Sequence, residues 1–397
     1  MIETWRWFGP SDSISLQKIR QAGATGIVTS LHEVKTGELW TREAIQARKD
    51  MIEAAGLTWD VIESIPVHND IKTRTGNYLE YIENYKASIE NAAACGVYTI
   101  CYNFMPVVDW TRTNLMYKLP NNSHALRFEM TDFAAYDVYM LEREGARQSY
   151  SQAVLDKADV RFSAMSDLEK LELEKNIIAG LPGGEGSYTR DSIRDTIQQF
   201  IDLGTEGFRA HLFAFLRAII PVAESVNAKM CIHPDDPPFS LFGLPRVVST
   251  ASDANKLLDA CPSPANGLTM CAGSYGARGD NDLVSMAREF GPSIYFVHLR
   301  NVIREEDGSF YESDHLDGDN DMVGLVEALL IEEKRRKDAA NGDDYLAIPM
   351  RPDHGHLLDD ELGQDGVKPG YSYMGRLKGL AELRGVLHTM STFVNRD

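Results

Sequence analysis

Short apolar segments alternate with amphipathic segments along the chain, and this alternation limits the folds open to it. Helix-like stretches, such as the one that begins after Asn77, carry apolar residues at spacings of three and four. Eight strand-like segments lie at Thr4–Phe8, Thr25–Leu31, Leu57–Ser64 and Val97–Phe104 and directly before His233, Cys271, His298 and Asp353. Eight such units predict one closed (β/α)8 barrel over residues 1–397. The alternative is a doubly wound open sheet, which usually has fewer strands, and no GxGxxG follows the first segment.

Composition and sequence pattern argue against nucleic acid as a partner and against a place in a membrane. A net charge of −19 argues against nucleic acid, because phosphate binding needs a basic face. The chain has 5 cysteines without a CxxC motif, which favours reduced thiols in a cytoplasmic protein. We also expect no signal peptide, because no basic region followed by an apolar run opens the sequence, and no membrane span.

One long stretch, from about residue 105 to residue 190, interrupts the alternation after the fourth strand. It is polar and partly helical, and it contains the charged run SDLEKLELEK from Ser166 to Lys175. A connection of this length usually has a function. We expect an inserted segment that covers the catalytic end of the barrel, forms a contact in a homodimer or larger homo-oligomer, or does both.

Four residues with metal-binding side chains stand at the ends of the last four strands. These are His233, Cys271, His298 and Asp353. The carboxyl ends of barrel strands meet at one rim, so the four side chains can converge although they are distant in sequence. The set suits Mn²⁺, Fe²⁺, Co²⁺ or Zn²⁺ and does not suit Mg²⁺ or Ca²⁺.

A structural interpretation competes with this prediction for each residue. A single histidine after a strand is more often a hydrogen-bonded rim residue, and Cys271 alone would more often be a small buried apolar side chain. The metal site is predicted because four ligand types end four consecutive strands. Cys231, two residues before His233, is interpreted as barrel core.

Further candidates for catalysis and substrate binding lie at the same predicted rim. His354 follows Asp353 directly and is free for proton transfer, and Tyr371 is a candidate acid or orienting hydroxyl. Asp353 itself joins the predicted catalytic set as a ligand. The predicted substrate-binding residues, each of which would more often be structural if taken singly, are Trp5, Arg6, His68, Asn103, Arg300 and Arg351.

Several motifs give the chain a resemblance to a known family over essentially its whole length. They are WRWFGP from Trp5, YNFMPVVDWTRT from Tyr102, IHPDDPP from Ile232, FVHLRN from Phe296 and RPDHGH from Arg351. The sequence resembles the mannonate dehydratases, hydro-lyases of the hexuronate (glucuronate) pathway that convert D-mannonate to 2-keto-3-deoxy-D-gluconate. The resemblance implies a xylose-isomerase-like barrel and one Mn²⁺ or Fe²⁺ per subunit.

Carried over motif by motif, the family's roles fall on the residues already named. The metal ligands fall on His233, Cys271, His298 and Asp353, and the proton-transfer residues fall on His354 and Tyr371. The loop before Tyr371 varies in length in the family, so Tyr373 stays open as an alternative at that position.

The reaction that the resemblance implies removes the C2 proton of a sugar acid and expels its C3 hydroxyl. A cation at the carboxylate would stabilise the enediolate-like transition state. Three alternatives stay open. They are a metal-dependent sugar isomerase on the same barrel, a metal-dependent phosphodiesterase, for which the chain lacks a basic rim, and a non-catalytic sugar-acid binding protein.

Overall fold

Eight parallel strands close into a barrel, which confirms the predicted fold class. The computed structural model describes residues 1–179, 189–340 and 346–394. In chain order the barrel strands are β1 (Ile2–Arg6), β2 (Gly26–Thr29), β3 (Thr58–Glu63), β4 (Thr99–Tyr102), β7 (Lys229–Ile232), β8 (Asn266–Cys271), β9 (Ile294–His298) and β12 (Pro349–Arg351). The four strands numbered between these lie outside the barrel and are described below. β1 pairs with both β2 and β12, and β4 pairs with β7.

The interior of the barrel is filled by side chains from its strands. Val28, Val61, Cys101, Cys231 and Phe296 belong to one buried cluster and have essentially no exposure. Cys231 therefore lies in the core, as the sequence predicts. Because the bottom of the barrel is filled, polar side chains at the carboxyl ends of the strands form the floor of any site at that rim.

Helices surround the barrel and connect successive strands. They are α1 (Leu16–Gln21), α2 (Arg42–Ala54), α3 (Asn69–Thr73), α4 (Tyr78–Ala94), α5 (Met130–Ala135), α6 (Gln152–Ala164), α7 (Asp167–Ala179), α8 (Arg190–Ser225), α9 (Ala251–Ala260), α10 (Ala272–Tyr275), α11 (Leu283–Phe290), α12 (Met322–Ala339) and α13 (Tyr373–Val394). Thr41 caps α2 by accepting a hydrogen bond from the Ala44 amide. The helical run α8 is broken at Gly204, whose φ of 67° only glycine adopts easily.

A four-stranded antiparallel sheet stands beside the barrel. Two of its strands, β5 (Asn114–Lys118) and β6 (His124–Phe128), follow β4. The other two, β10 (Val302–Arg304) and β11 (Phe310–Glu312), follow β9, and β11 pairs with β6. The strand pair β10–β11 was not predicted from the sequence. Its pairing with β6 joins the segment after the seventh barrel strand to the segment after the fourth.

The stretch from residue 105 to residue 190 contains β5, β6 and the helices α5, α6 and α7, so it is part strand as well as part helix. Its residues 180–188 lie outside the described residues. In the described parts of the chain, no helix combines the length and the apolar character needed to cross a membrane.

Candidate active site

Three of the four predicted metal ligands lie together at the carboxyl rim of the barrel. His233 follows β7, Cys271 ends β8 and His298 ends β9, and these strands are neighbours in the barrel. One ligand atom from each side chain lies within 4.8 Å of the other two. Cys271 and His298 are also Cα partners in the strand register. Their convergence thus follows directly from the barrel topology.

The ring of His233 is oriented by its own loop. Its Nδ1 lies 2.7 Å from the carbonyl oxygen of Pro234, to which it donates, and this leaves Nε2 for a ligand. Burial opposes a charge on this ring, but the adjacent Cys271 sulfur outweighs burial and raises the pKa of His233 to about 10. A ligand atom of this imidazole and the Cys271 sulfur lie within 4.8 Å of each other, close enough to share a cation.

His298 is the clearest sign that this cluster takes a ligand. Its side chain is 1% exposed, and neither ring nitrogen has a hydrogen-bond partner among the described residues. Burial, reinforced by Arg351, lowers its pKa well below the ordinary value. Buried polar atoms normally have partners, and a neutral imidazole is the form that binds metal. The donor set of two imidazoles and one sulfur therefore fits a divalent transition metal.

Asp353 lies beside this group rather than within it. Its Oδ2 atom is 3.8 Å from Nδ1 of His298, while its Oδ1 accepts a hydrogen bond from Arg351. The backbone of Asp353 has a φ of 68°, a conformation that aspartate tolerates better than most residues. Burial raises the pKa of this carboxyl, but Arg351 and other nearby cations lower it well below its usual range. The carboxylate is therefore ionised and lies beside His298, one of the three donors.

His354 and Tyr371 form a hydrogen-bonded pair next to Asp353. Nε2 of His354 lies 3.1 Å from the Tyr371 hydroxyl, and Nδ1 lies 2.8 Å from both carboxylate oxygens of Glu312. Arg300 also approaches Nδ1, at 3.1 Å, but a guanidinium cannot accept a proton. The shorter, charge-assisted contact to Glu312 assigns the proton to Nδ1 and leaves Nε2 as the acceptor.

Tyr371 is buried, and this burial raises its pKa to about 12, so the hydroxyl keeps its proton. Tyr373, the alternative left open by the sequence, instead donates to the carbonyl oxygen of Lys18 on the outer surface. Of these two tyrosines, Tyr371 is the one beside His354.

A buried network of charges holds the acid–base pair in place. Arg112 donates to Asp236 at 2.7 Å and to Glu312 at 3.0 Å. Arg300 donates to the same two carboxylates, at 2.6 Å and 3.2 Å. Each of these four side chains is at most 4% exposed. Because all four are paired, the network is rigid and fixes Glu312 against His354.

A second group of charges lies at the end of β3. Glu63 contacts Arg6 at 3.1 Å, Arg351 at 3.0 Å and Nε2 of His298 at 3.4 Å. Burial raises the pKa of Glu63, but the arginines, above all Arg351, outweigh it and lower the value to about 2. Arg6 and Arg351, two of the predicted substrate-binding residues, thus reach the floor of the site, as does Arg300.

Three other predicted substrate-binding residues are placed differently. The ring of Trp5 is 1% exposed and packs under the guanidinium of Arg376 from α13, 4.3 Å from its centroid. His68 caps α3 by accepting from the Asp70 amide. Asn103 directly follows β4 at the catalytic rim and is half-buried. The structure does not bring Trp5 or His68 into contact with the metal-ligand group.

Sequence reasoning missed four residues of the site. Asp236 lies within the motif IHPDDPP, and Glu63 ends a barrel strand, so position alone could have found both. Arg112 belongs to the segment that follows β4, and Glu312 belongs to the segment that follows β9. Their segments carry no local pattern that predicts a contact between them.

Comparisons with known proteins agree over the whole chain. The family model described as D-mannonate dehydratase (UxuA) matches residues 1–397. A mannonate dehydratase of Saccharophagus degradans is 76% identical over 390 residues, which are 98% of each chain. Mannonate dehydratase 2 of Agrobacterium fabrum is 53% identical over 397 residues, 100% of this chain and 99% of its own.

A solved structure is similar as well. The crystal structure of mannonate dehydratase from Streptococcus suis serotype 2 aligns with a TM-score of 0.78 at 33% identity. The alignment covers 100% of this chain and 95% of that one.

Proposed function

The chain belongs to the D-mannonate dehydratase family, and from this premise we propose that it dehydrates D-mannonate to 2-keto-3-deoxy-D-gluconate and water in hexuronate (glucuronate) catabolism. The observation that carries the proposal is the placement of a proton-transfer pair, His354 and Tyr371, directly beside a three-donor metal cluster. The α-proton of a carboxylate is weakly acidic, and a base and a stabilising cation that act at the same point make its removal easier.

We propose that His233, Cys271, His298 and Asp353 hold one Mn²⁺ or Fe²⁺. The unpartnered ring of His298 and the ionised Asp353 support this assignment. When bound, the cation would supply Lewis-acid stabilisation of the negative charge that develops on the substrate's carboxylate. The carboxylate ligand favours the harder ions Mn²⁺ and Fe²⁺ over Zn²⁺.

We assign the two proton transfers to the paired side chains. His354, held by Glu312 with its proton on Nδ1, takes the C2 proton at Nε2. Tyr371, which keeps its hydroxyl proton, gives it to the departing C3 hydroxyl, so that water leaves. The enol that remains takes a proton from solvent at C3, releases the proton of its C2 hydroxyl to solvent and becomes the 2-keto acid. The imidazolium of His354 then returns a proton to the Tyr371 oxygen that it contacts, which restores the pair. The imidazolium formed at His354 is stabilised by Glu312, as a buried carboxylate stabilises a catalytic histidine elsewhere.

The arginines of the site have a supporting role in this scheme. Arg6 and Arg351 are bound to Glu63, and Arg300 is bound to Asp236 and Glu312. Their charge is therefore balanced by protein carboxylates. We propose that they face the substrate and donate hydrogen bonds to its oxygens, with Asn103 as a neighbouring polar contact.

We propose that the protein acts in the cytoplasm as a homodimer or larger homo-oligomer, and that the segment from residue 105 to residue 190 serves as lid, subunit contact or both. Arg112 of this segment already reaches Asp236 in the site. Its helices also expose apolar side chains, among them Val160 and Leu168, at 71% and 73% exposure. The described cysteines are free thiols, which is compatible with that compartment.

The test is to incubate the purified protein with D-mannonate in D₂O and to follow the carbon-bound protons by NMR. We expect 2-keto-3-deoxy-D-gluconate with one deuterium at C3, because the enol takes its proton from solvent. Aldoses and ketoses serve as control substrates for an isomerase. Interconversion of these sugars without a 2-keto-3-deoxy product, or binding of D-mannonate without turnover, would reject the proposal.

A further inference from the structure

Arg246 is a buried arginine whose charge is not satisfied by a hydrogen bond. Its side chain is 4% exposed, and none of its three guanidinium nitrogens has a hydrogen-bond partner among the described residues. Arg112, Arg300 and Arg351 differ, because each donates to carboxylates. A buried guanidinium carries five N–H donors, and leaving all of them unmet is costly. This arrangement indicates a ligand that supplies acceptors.

Arg246 and the nearby Lys72 each form a loose ion pair, in which the charged atoms are too far apart for a hydrogen bond. Nη1 of Arg246 is 3.7 Å from Oδ1 of Asp235, and Nζ of Lys72 is 3.7 Å from Oδ1 of Asp109. Both separations exceed a hydrogen bond, although Arg246, Asp235 and Lys72 are almost fully buried. Oδ2 of Asp235 accepts from Val248 and Ser249, but its Oδ1 and the three guanidinium nitrogens of Arg246 have no hydrogen-bond partner among the described residues.

The two pairs belong to one region. Burial lowers the pKa of Arg246, while three nearby carboxylates act in the opposite direction. These carboxylates belong to Asp235, Asp236 and Asp109. Asp109 thus lies within electrostatic reach of Arg246 as well as beside Lys72, and it is one-third exposed.

This region adjoins the active site at the same rim of the barrel. Lys72 lies in α3 after β3, Asp109 follows β4, and Arg246 lies in the loop after β7. β3, β4 and β7 are consecutive barrel strands, and β7 also leads to His233. Neighbouring strands are only about 4.8 Å apart, so this region is next to the place where the metal cluster would hold one end of a sugar acid.

The loop that carries Asp109 also contacts the acid–base pair. Trp110 follows Asp109, and its ring centroid lies 6.0 Å from that of His354 in an edge-to-face contact. One side of this loop therefore faces the acid–base pair, and the neighbouring residue carries the exposed carboxylate.

The chemistry of the region selects hydroxyl groups rather than a second carboxylate. Its two cations and two anions cancel, so an additional negative charge would not be compensated. A hydroxyl both donates and accepts, and it can therefore contact the cation and the carboxylate of a loose pair at the same time. We propose that Lys72, Asp109 and Arg246 form the subsite for the distal hydroxyls of the sugar acid, and thereby set selectivity for chain length. This inference rests on the proposed function, which directs the carboxylate to the metal cluster.

The experiment compares two acids and two variants by titration calorimetry and by steady-state kinetics. L-erythronate keeps the configuration of D-mannonate at C2 and C3 but lacks C5 and C6. For Asp109→Asn, we expect the Kd of D-mannonate to rise about tenfold or more and its kcat/KM to fall to match, since a hydrogen bond to a charged group is lost. We expect no more than about a twofold change for L-erythronate. Arg246→Lys keeps the charge but removes the guanidinium donors. Like Asp109→Asn, it should weaken the binding of D-mannonate and leave that of L-erythronate nearly unchanged.

The control is Lys86→Met, which removes an exposed ion pair with Glu83 on α4 and should change neither acid's binding. Circular dichroism establishes that each variant is folded. Equal losses for both acids, or no loss for D-mannonate, would overturn the subsite. A protein that binds D-mannonate selectively through Asp109 but forms no 2-keto acid would reject the proposed function and keep the subsite. If the unaltered protein binds neither acid, both fall.

Discussion

Nε2 of His354 lies 3.1 Å from the hydroxyl of Tyr371, a residue 17 positions further along the chain. A backbone contact supports the pairing, because the amide of Gly355 donates to the carbonyl oxygen of Gly370. The loop that carries Tyr371 is therefore attached to the end of β12, and the acid–base pair is held by backbone as well as by side chains. A pair held in this way needs no rearrangement before it acts.

Replacing His354 by asparagine tests its role in proton transfer. We expect His354→Asn to lose about 10²- to 10⁴-fold in kcat, the usual contribution of general acid–base catalysis. Metal content, measured by elemental analysis, should stay unchanged, because the ring nitrogens contact Glu312 and Tyr371 rather than the metal cluster. Loss of metal together with activity would make His354 a ligand, and an unchanged rate would remove it from the mechanism.

Glu312 should act through His354. We expect Glu312→Gln to lower kcat by at least about tenfold, because an amide stabilises the imidazolium less well and permits the wrong tautomer. Its Tm should also fall, since Arg112 and Arg300 lose a buried counter-charge. Glu305→Gln is the matched control, because Glu305 pairs with Arg127 at the exposed side of the neighbouring strands. Equal effects of the two substitutions on kcat would contradict the assignment.

The barrel and most of the candidate metal site could be predicted because they depend on local patterns. Each barrel strand is a short apolar run, and each predicted metal ligand stands at the end of such a run. Once eight strands are recognised, closure of the sheet brings His233, Cys271 and His298 to one rim. Proximity of Asp353 follows in the same way, from the end of β12.

The buried network of charges around Glu312 could not be predicted from the sequence, because it depends on contacts between the segments that follow β4 and β9. Glu312 reaches His354 only because β11 pairs with β6, more than 180 residues earlier in the chain. Neither strand carries a long apolar alternation, and pairing partners of short strands cannot be read from composition. The contact of the Trp5 ring with Arg376 of α13 is another long-range contact that the sequence pattern does not predict.

Cys271 tests the composition of the metal cluster. We expect Cys271→Ser to bind the metal more weakly and to lose most of the activity, because a hydroxyl replaces the sulfur ligand while the shape of the site is kept. Cys261→Ser is the control, since Cys261 is a half-buried thiol outside the site. Elemental analysis after dialysis measures the difference. Full metal content and full rate in Cys271→Ser would show that the thiol is not a ligand.

The segment after β4 should contribute to a subunit contact. Val160 on α6 and Leu168 on α7 are the most exposed large apolar side chains among the described residues. If a second copy covers them, Val160→Glu combined with Leu168→Glu should reduce the assembly size measured by light scattering. Leu79 on α4 is also exposed but lies outside this segment, so Leu79→Glu should leave the assembly size unchanged. A wild-type monomer that is readily cleaved between residues 105 and 190 with intact activity would reject both roles of the segment.

Metal-dependent dehydration at the His233–Cys271–His298 cluster is the central claim, and one assay tests it most directly. Protein stripped of metal by a chelator is dialysed and mixed with D-mannonate, and formation of 2-keto-3-deoxy-D-gluconate is followed after separate additions of Mn²⁺, Fe²⁺ and Zn²⁺. We expect no product from the stripped protein and recovery of activity with Mn²⁺ or Fe²⁺. Undiminished formation of product by protein shown to be free of metal would contradict the claim.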